Sequence, residues 1–462
     1  MSKTQHGVAP FGFKDKLGYL FGDFGNDFTF LLSSSFLLKF YTDVMGVAPW
    51  VVGLIMTVSR FVDAFTDVTM GRICDRAKTG DGGKFRPWLL RMCGPVAVAS
   101  FLIYQSSLAD RPMAFKIGWL AVTYILWGSV FYTSINIPYG SMASAITPDA
   151  EGRQSLSTFR SMGSALAGLI VGAGVPLLAY DRVGDVTVLN GGRFTTIAGV
   201  FSILSVVCYL LCYFLTTERV RRESDVREHG NILSLLRRTF KNRALLSIIA
   251  ASVVMLLSQM TMQSMSNYVY PNFYGNVTAQ SVSTVIMVLS LFLAAAVARP
   301  LAARFGKAEI SAVANAVAAA TSLLLFFLRP SSVWVYVFIN ALSWVGLGIF
   351  TMVSWALITD VIDDAEIRHG VREDGSIYAL YSFSRKLGQA GAAALSGGLL
   401  SAIGYSESTA FEPSVLSGIY TISTLLPAIG FALLSLILWL LYPLKRDVVR
   451  ENGRRLSEIH GE

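Results

Sequence analysis

"TTERVRRESDVREHGNILSLLRRTFKNR", residues 216–243, is the longest charged stretch inside a chain that is otherwise strongly apolar. Of the 462 residues, 53% are hydrophobic and only 15% are charged, a balance that soluble domains of this length do not show. Apolar runs of about 20 residues recur on both sides, each long enough to cross a bilayer core of about 30 Å as a helix. The composition therefore predicts a membrane protein that this stretch divides in two.

The apolar runs predict twelve spans, six on each side of the charged stretch. They are approximately 17–43, 49–71, 88–108, 117–146, 154–180, 193–215, 243–271, 280–303, 308–328, 332–360, 375–405 and 414–442. This pattern predicts an all-α membrane protein with two six-helix bundles, 1–216 and 244–444, a cytoplasmic middle loop, 217–243, and a cytoplasmic tail, 445–462. Two basic turns, after the second span and after the eighth, repeat between the halves, as in transporters built from two similar halves.

The basic residues indicate the orientation of the chain. Most Lys and Arg fall in the N-terminal tail, in loops that follow even-numbered spans, and in the C-terminal tail. By the positive-inside rule both termini are cytoplasmic. The net charge of +8 then reflects topology and contact with a lipid bilayer, and we expect no nucleic-acid partner.

The sequence lacks the motifs of the common enzyme classes. It has no H-E-x-x-H, G-x-S-x-G or phosphate-binding loop, and its four histidines lie in predicted loops or tails. The four cysteines have no metal-ligand spacing and are expected to be small packing residues in or beside the spans. We therefore expect no enzyme, no catalytic residue, no metal site and no cofactor, and any driving force must come from an ion gradient.

Charged residues inside the second span call for a specific environment. In "RFVDAFTDVTMG", residues 60–71, Arg60, Asp63 and Asp67 are spaced i, i+3, i+7 and share one helix face, with Thr66 beside them. Two uncompensated carboxylates at a span centre would cost about 5–7 kcal/mol. They should therefore face a water-filled cavity, a cation or a basic partner. An interhelical salt-bridge network that holds the bundle together is the alternative.

Further polar groups lie in other spans: Asp23, Asn26 and Asp27 in the first, Tyr132, Thr133 and Asn136 in the fourth, Arg160 in the fifth, and Tyr381, Ser382, Arg385 and Lys386 in the eleventh. Two carboxylates with a hydroxyl from another helix suit a hard cation such as Na⁺. Two close carboxylates would equally hold a proton. The sequence is compatible with either Na⁺ or H⁺ as the coupling ion.

Several motifs resemble one family. "GNDF", "RFVDAFTDVTMG", "GKFRPW", "TYILWG", "NIPYGS" and "YSFSRKLGQA" occur in this order over nearly the whole chain. Together they resemble the glycoside-pentoside-hexuronide:cation symporters of the major facilitator superfamily. Within that family the fourth- and eleventh-span motifs are more similar to the bacterial glucuronide transporter than to melibiose permease. The resemblance implies a major facilitator fold and cotransport of a sugar with H⁺, Na⁺ or Li⁺.

The resemblance also implies site residues. The family's cation site falls on Asp63, Asp67, Thr66 and Thr133. Its substrate site falls on Asp27, Tyr132, Asn136, Arg160, Tyr381, Ser382 and Lys386, and we include the neighbouring Asn26. Three positions depart from melibiose permease, which has an acidic residue at Asn136 and tryptophans at Gly140 and Thr351. These changes put the stacking of a galactoside in doubt.

The charge balance near the expected cavity favours an anionic sugar. Three acids, Asp27, Asp63 and Asp67, face four bases, Arg60, Arg160, Arg385 and Lys386. Arg160 is the candidate to bind a substrate carboxylate through two parallel hydrogen bonds, and pairing with Asp27 or another span is the alternative.

Charged residues at the cytoplasmic ends are expected to form gate ion pairs. The candidates for gating are Arg60, Asp360, Asp363 and Arg372, and a solvated surface is the alternative for the last three. We expect a monomeric carrier in a bacterial inner membrane that imports a glycoside, a hexuronide such as a glucuronide, with H⁺ or Na⁺ by alternating access. The alternatives are a uniporter or exchanger of neutral glycosides or pentosides whose acidic residues serve only as gate salt bridges, a receptor or scaffold, and a lipid carrier.

Overall fold

The computed structural model describes residues 10–77, 80, 82–220, 242–369 and 374–460. Contacts divide the chain into two compact units. The first comprises the described residues up to Val226 together with Leu400–Ala410, and the second comprises the described residues of Arg227–Leu399 and Phe411–Glu462.

The first unit consists of helices and one short hairpin. Its elements are α1 (Phe13–Asp43), α2 (Pro49–Arg76), α3 (Arg86–Ile103), a 3₁₀ turn (Ser106–Leu108), α4 (Met113–Ile125), a π-helical segment (Leu126–Tyr132), α5 (Thr133–Ile146), α6 (Ala150–Leu169), a second π-helical segment (Ile170–Gly174), α7 (Val175–Ala179), β1 (Tyr180–Val183), β2 (Val186–Leu189) and α8 (Gly191–Leu215). The strands pair antiparallel, with Tyr180 opposite Leu189. Helix α1 packs mainly against α8 and α6.

The second unit contains the remaining helices, except for the last three residues of α13, which belong to the first unit. They are α9 (Arg243–Tyr268), a π-helical segment (Val269–Phe273), α10 (Val277–Phe305), α11 (Lys307–Leu328), α12 (Val333–His369), α13 (Asp374–Ala402), α14 (Pro413–Leu436), a last π-helical segment (Ile437–Leu441) and α15 (Arg446–His460). Helix α11 packs against α12 and α14, and α9 packs against α14. Their buried contact surface is apolar, with Ile248, Met255, Phe350 and Phe431 at its centre.

Polar side chains fix several helix starts, because the first turn of a helix leaves backbone N–H groups without partners. The side chains of Asn190, Asn242 and Asn276 each accept a hydrogen bond from the amide three residues on, at 2.9–3.1 Å. Asp149 does the same for Gly152 at 2.7 Å. These caps place the starts of α6, α8, α9 and α10 at the edges of the apolar runs.

The helices coincide with the twelve predicted spans when each π-helical segment is joined to its neighbours. Among the described residues, eight such helices are apolar enough by composition alone to cross a membrane. Helices α1, α2, α3 and α13 match the remaining predictions, and α1, α2 and α13 contain the charged candidate residues. Large apolar side chains such as Phe65, Phe292 and Phe327 point outward, as expected of a surface that faces lipid.

Three details differ from the sequence expectation. Helix α12 continues past the predicted span to His369, so that Asp363 and His369 belong to a helix rather than to a loop. The predicted tail contains α15, which ends at His460. The fifth predicted span ends in a hairpin strand at Tyr180. In each case the helix bounds follow backbone hydrogen bonding, whereas the apolar run marks only the part that lies in hydrocarbon. All four cysteines are buried, as their packing role required.

Candidate functional site

The acidic face of α2 lies against the π-helical segment and α5. Ser129 donates a hydrogen bond to Oδ1 of Asp63 at 2.5 Å. One turn further on, Thr133 donates to Oδ1 of Asp67 at 3.0 Å. Two carboxylates and two hydroxyls from facing helices are thus brought together inside the membrane-spanning part of the first unit.

The local backbone explains this close approach. The segment Leu126–Tyr132 is π-helical, a feature that is frequent at functional sites because the extra residue in its turn redirects the following side chains. Gly128 faces α2, since a Cβ atom at this position would be 3.7 Å from Oδ1 of Asp63. The Gly128 carbonyl oxygen also accepts a hydrogen bond from Thr133 at 3.2 Å.

Arg60 supplies the positive charge of this cluster. Its Nη1 lies 3.1 Å from Oδ2 of Asp63, and both side chains are largely buried. Its Nη2 donates to the Tyr124 hydroxyl at 3.4 Å, and its guanidinium stands 5.4 Å from the centre of the Phe30 ring. Asp63 is therefore paired within its own helix, whereas the salt-bridge alternative requires a pair between helices.

Thr66 has a different geometry from the other candidate cation ligands. Its hydroxyl donates to the carbonyl oxygens of Val62 and Asp63, at 3.3 and 3.2 Å, within its own helix. The sequence interpretation did not include Ser129, whose position four residues before Thr133 could have indicated it.

A second polar cluster joins α1 to α6. The Nε atom of Arg160 donates to Oδ1 of Asp23 at 3.0 Å, and Ser164 donates to Asp27. Asp23 and Asp27 on α1, and Arg160 and Ser164 on α6, are each four residues apart, so the two helices meet in register. Arg160 pairs with Asp23 rather than with Asp27, and 39% of its side chain stays exposed. Its guanidinium lies 5.3 Å from the centre of the Tyr139 ring.

Asn26 connects three helices. Its amide nitrogen donates to Oδ1 of Asn136 at 3.3 Å, and its Oδ1 accepts a hydrogen bond from the Tyr209 hydroxyl at 2.7 Å. Tyr132 stacks on Phe30, with ring centres 5.7 Å apart. The first unit therefore gathers all candidate substrate residues of the first half around α1. Asp23, Ser164 and Tyr209 were not among the candidates.

The candidates of the second unit lie on α12 and α13. Tyr381 is buried, its ring meets the Trp355 ring edge to face at 5.1 Å, and its hydroxyl has no hydrogen-bond partner among the described residues. Ser382 is exposed and Lys386 is half-buried. The Arg385 guanidinium stands 5.6 Å from the centre of the Trp355 ring.

The gating candidates are only partly described. Asp360 accepts a hydrogen bond from Lys307 at 2.5 Å, so this predicted gate residue has an ion pair inside the second unit. Asp363 lies nearly one turn further along α12. Arg372 lies outside the described residues.

Long apolar helices that enclose charged and hydroxyl groups between them are typical of membrane transporters. A family model described as MFS/sugar transport protein matches residues 18–446, and the chain belongs to this family. The match confirms the predicted fold, the resemblance to cation symporters of glycosides and the expectation that the protein is no enzyme. It is a multi-pass membrane transporter of the sugar class.

Individual relatives agree with this assignment. A Bacillus subtilis (strain 168) protein described as uncharacterized symporter YjmB is 34% identical over 97% of this chain and 95% of its own length. The glucuronide carrier protein homolog of Escherichia coli (strain K12) is 31% identical over 94% and 93%. The crystal structure of a D-xylose-proton symporter superimposes with a TM-score of 0.66 and 13% identity, covering 93% of this chain and 97% of that one.

Proposed function

We propose that the protein imports a glycoside with an acidic group, a hexuronide such as a glucuronide, together with H⁺ or Na⁺ by alternating access. The observation that carries the proposal is the pairing of each α2 carboxylate with a hydroxyl of the facing helix. Asp63 receives Ser129 and Asp67 receives Thr133.

The charge of this cluster matches one monovalent cation. Asp63 and Asp67 carry two negative charges when ionised, and Arg60 carries one positive charge, so these three side chains together have a formal charge of −1. Carboxylate and hydroxyl oxygens are the ligands that hard cations prefer, and a proton on one carboxylate would neutralise the cluster equally well. Entry of either ion would make the cluster less negative, and negative charge is costly within hydrocarbon. We place the cation on Asp63, Asp67 and Thr133, as predicted, and add Ser129 to this set. Thr66, the fourth predicted ligand, contributes less because its hydroxyl donates to carbonyl oxygens of its own helix.

Arg160 supports an anionic substrate. Asp23 lies 3.0 Å from its Nε atom and so holds the planar guanidinium in one orientation. Because 39% of the Arg160 side chain stays exposed, the guanidinium is accessible to a ligand. Such a group binds a carboxylate through two parallel hydrogen bonds. The relative described as a glucuronide carrier homolog agrees with a sugar of this kind. In the first unit, Asp27, Asn26, Tyr132 and Asn136 then provide hydrogen-bonding groups for the sugar ring. The substrate residues that we propose in the second unit are Tyr381, Ser382 and Lys386.

The cellular setting follows from the family and from the charge distribution. We place the protein in a bacterial inner membrane as a monomer with both termini cytoplasmic. Its partners are then the sugar, the coupling cation and the bilayer.

One observation favours a second candidate function, a uniporter or exchanger. The ion pair between Arg60 and Asp63 at 3.1 Å is what a purely structural salt bridge would show. In that case Asp67 would hold the helices together without binding a coupling ion.

Gradient-driven uptake separates the two functions. Labelled glucuronide is added outside proteoliposomes, and its uptake is measured under an inward Na⁺ gradient, an inward H⁺ gradient or neither. Asp67→Asn is compared with wild type. Asp185→Asn, which changes an exposed carboxylate in the turn between β1 and β2, is the matched control. We expect accumulation only with one of the gradients, lost in Asp67→Asn and kept in Asp185→Asn. Sugar exchange across the membrane (counterflow) is measured with the same three proteins. Counterflow that is independent of the ions and equal in all three proteins would contradict symport and support the uniporter.

A further inference from the structure

A cleft lies at the end of the second unit that contains the start of α15. Its walls come from the end of α10, the start of α11, the charged end of α12 and the first two turns of α15, and its volume is about 130 Å³. This is the volume of roughly four water molecules in the liquid. The cleft does not belong to either cluster of the first unit.

The charged side chains that line the cleft are Lys307, Asp360, Arg446 and Arg450. Lys307 and Asp360 neutralise each other through their ion pair at 2.5 Å. Among the described residues, neither Arg446 nor Arg450 has a carboxylate ion-pair partner, and the Nε atom of Arg446 is buried without a hydrogen-bond partner. Three bases and one acid leave the lining with two positive charges.

The two arginines are arranged to act together. They are four residues apart on α15 and therefore project from the same helix face. The backbone amide of Arg446 donates to Oε1 of Glu309 at 2.9 Å, which fixes the first turn of α15 against α11. Glu309 does not line the cleft. Paired guanidinium groups on a fixed helix are the arrangement that binds phosphate oxygens in proteins.

The surroundings indicate a lipid as the source of the phosphate. Ala302 and Ala303 form one wall, and their neighbours Leu301 and Phe305 are exposed apolar side chains. Trp439, also exposed, has the Lys445 ammonium 5.8 Å from its ring centre, an aromatic and basic pairing typical of the headgroup level. A molecule with its phosphate in the cleft would thus have its acyl chains beside the lipid-facing surface.

We propose that this cleft binds the phosphate group of an anionic phospholipid from the leaflet on the C-terminal side, with Arg446 and Arg450 donating to its oxygens. Basic pockets between spans bind such headgroups on the cytoplasmic side of membranes. The proposal does not depend on which sugar or which coupling ion the protein transports.

Lipid titration of the purified full-length protein tests the proposal. In a neutral detergent, phosphatidylglycerol and phosphatidylcholine with identical chains are titrated, and bound lipid is counted by native mass spectrometry. The variant Arg446→Gln/Arg450→Gln is compared with Arg454→Gln/Arg455→Gln, which removes the same charge from the same helix outside the cleft. We expect wild type and the control to prefer phosphatidylglycerol about tenfold, and the cleft variant to lose this preference.

Two results would overturn the proposal. Equal loss of preference in both double variants would show that only surface charge matters. Inorganic phosphate that displaces the lipid as effectively as phosphatidylglycerol does would show a site for free phosphate. Should the double variant not fold, Arg450→Gln alone changes an exposed side chain and is expected to weaken phosphatidylglycerol binding at least threefold. An unchanged affinity of this single variant would also overturn the proposal.

Discussion

The Ser129 hydroxyl lies 2.5 Å from Oδ1 of Asp63 and donates a hydrogen bond to it from a π-helical segment of the facing helix. The Ser129 hydroxyl oxygen therefore joins the two carboxylates and Thr133 as a candidate cation ligand. A hydroxyl that donates one hydrogen bond retains lone pairs for a cation. Thr66 lies on the same helix as the carboxylates but donates to that helix's own carbonyl oxygens.

Replacing Ser129 should weaken the coupling ion's effect more than replacing Thr66. For Ser129→Ala we expect the ion concentration that half-activates uptake to rise about tenfold, because the cation would lose one of its oxygen ligands. For Thr66→Ala we expect less than about a twofold change. Uptake kinetics over a series of Na⁺ and H⁺ concentrations measure both values. Equal changes in the half-activating ion concentration in the two variants would show that Ser129 is not a cation ligand.

Neutralising Asp63 should destabilise the protein, because Arg60 would then lose its carboxylate inside the span. Breaking such a buried pair costs about 3–5 kcal/mol. We expect a lower unfolding temperature for Asp63→Asn and substantial recovery in Arg60→Gln/Asp63→Asn, measured by thermal unfolding in detergent. Asp67→Asn leaves the ion pair between Arg60 and Asp63 in place, so Arg60→Gln should not restore the stability of that variant. A wild-type unfolding temperature for Asp63→Asn would be inconsistent with this pairing.

Arg160 should discriminate anionic from neutral glycosides. In Arg160→Gln we expect the KM for a glucuronide to rise at least about tenfold, since a lost charge pair costs about 2–5 kcal/mol, whereas the KM for the matching neutral glucoside changes little. Transport assays with both sugars give the comparison. Parallel increases for the two sugars would assign Arg160 a purely structural role.

Asp23 should act by orienting Arg160. An asparagine at this position keeps an oxygen that accepts from the Arg160 Nε atom, whereas alanine does not. We therefore expect Asp23→Ala to raise the KM for the glucuronide several-fold more than Asp23→Asn, with kcat nearly constant. Steady-state uptake kinetics distinguish the two variants, and identical KM values would argue against an orienting role.

Gly163 should be needed for the close packing of α1 and α6. A Cβ atom there would clash with the Leu20 carbonyl oxygen and lie 3.2 Å from the Phe24 amide nitrogen. Gly163→Ala should destabilise the protein by about 1–3 kcal/mol. Gly118→Ala, at a helix position with nothing within 4 Å of the added atom, is the control and should not destabilise the protein. Thermal unfolding of both variants in the same detergent tests the difference.

The positions of the spans could be predicted because hydrocarbon thickness sets the length of an apolar run. The shared face of Arg60, Asp63 and Asp67 followed from helical spacing alone. In contrast, the choice of Asp23 over Asp27 as the partner of Arg160 depends on the register between α1 and α6, which spacing within one helix does not determine.

Other features had no signal in the apolar pattern. The π-helical turn that brings Ser129 to Asp63 interrupts the regular helical period over only seven residues. Helix α12 extends past Asp360 because charged residues end a span without ending a helix. Helix α15 is too polar to resemble a span, although its packing against α12 orders it.

The central claim is that an ion at Asp63 and Asp67 promotes sugar binding, and calorimetric titration of glucuronide tests it most directly. The purified wild type and Asp67→Asn are titrated with and without Na⁺ at two pH values. Because coupling between two ligands is reciprocal, the account predicts that Na⁺ or lower pH tightens glucuronide binding at least about fivefold in wild type and not in Asp67→Asn. A wild-type affinity that is the same under all four conditions would contradict it.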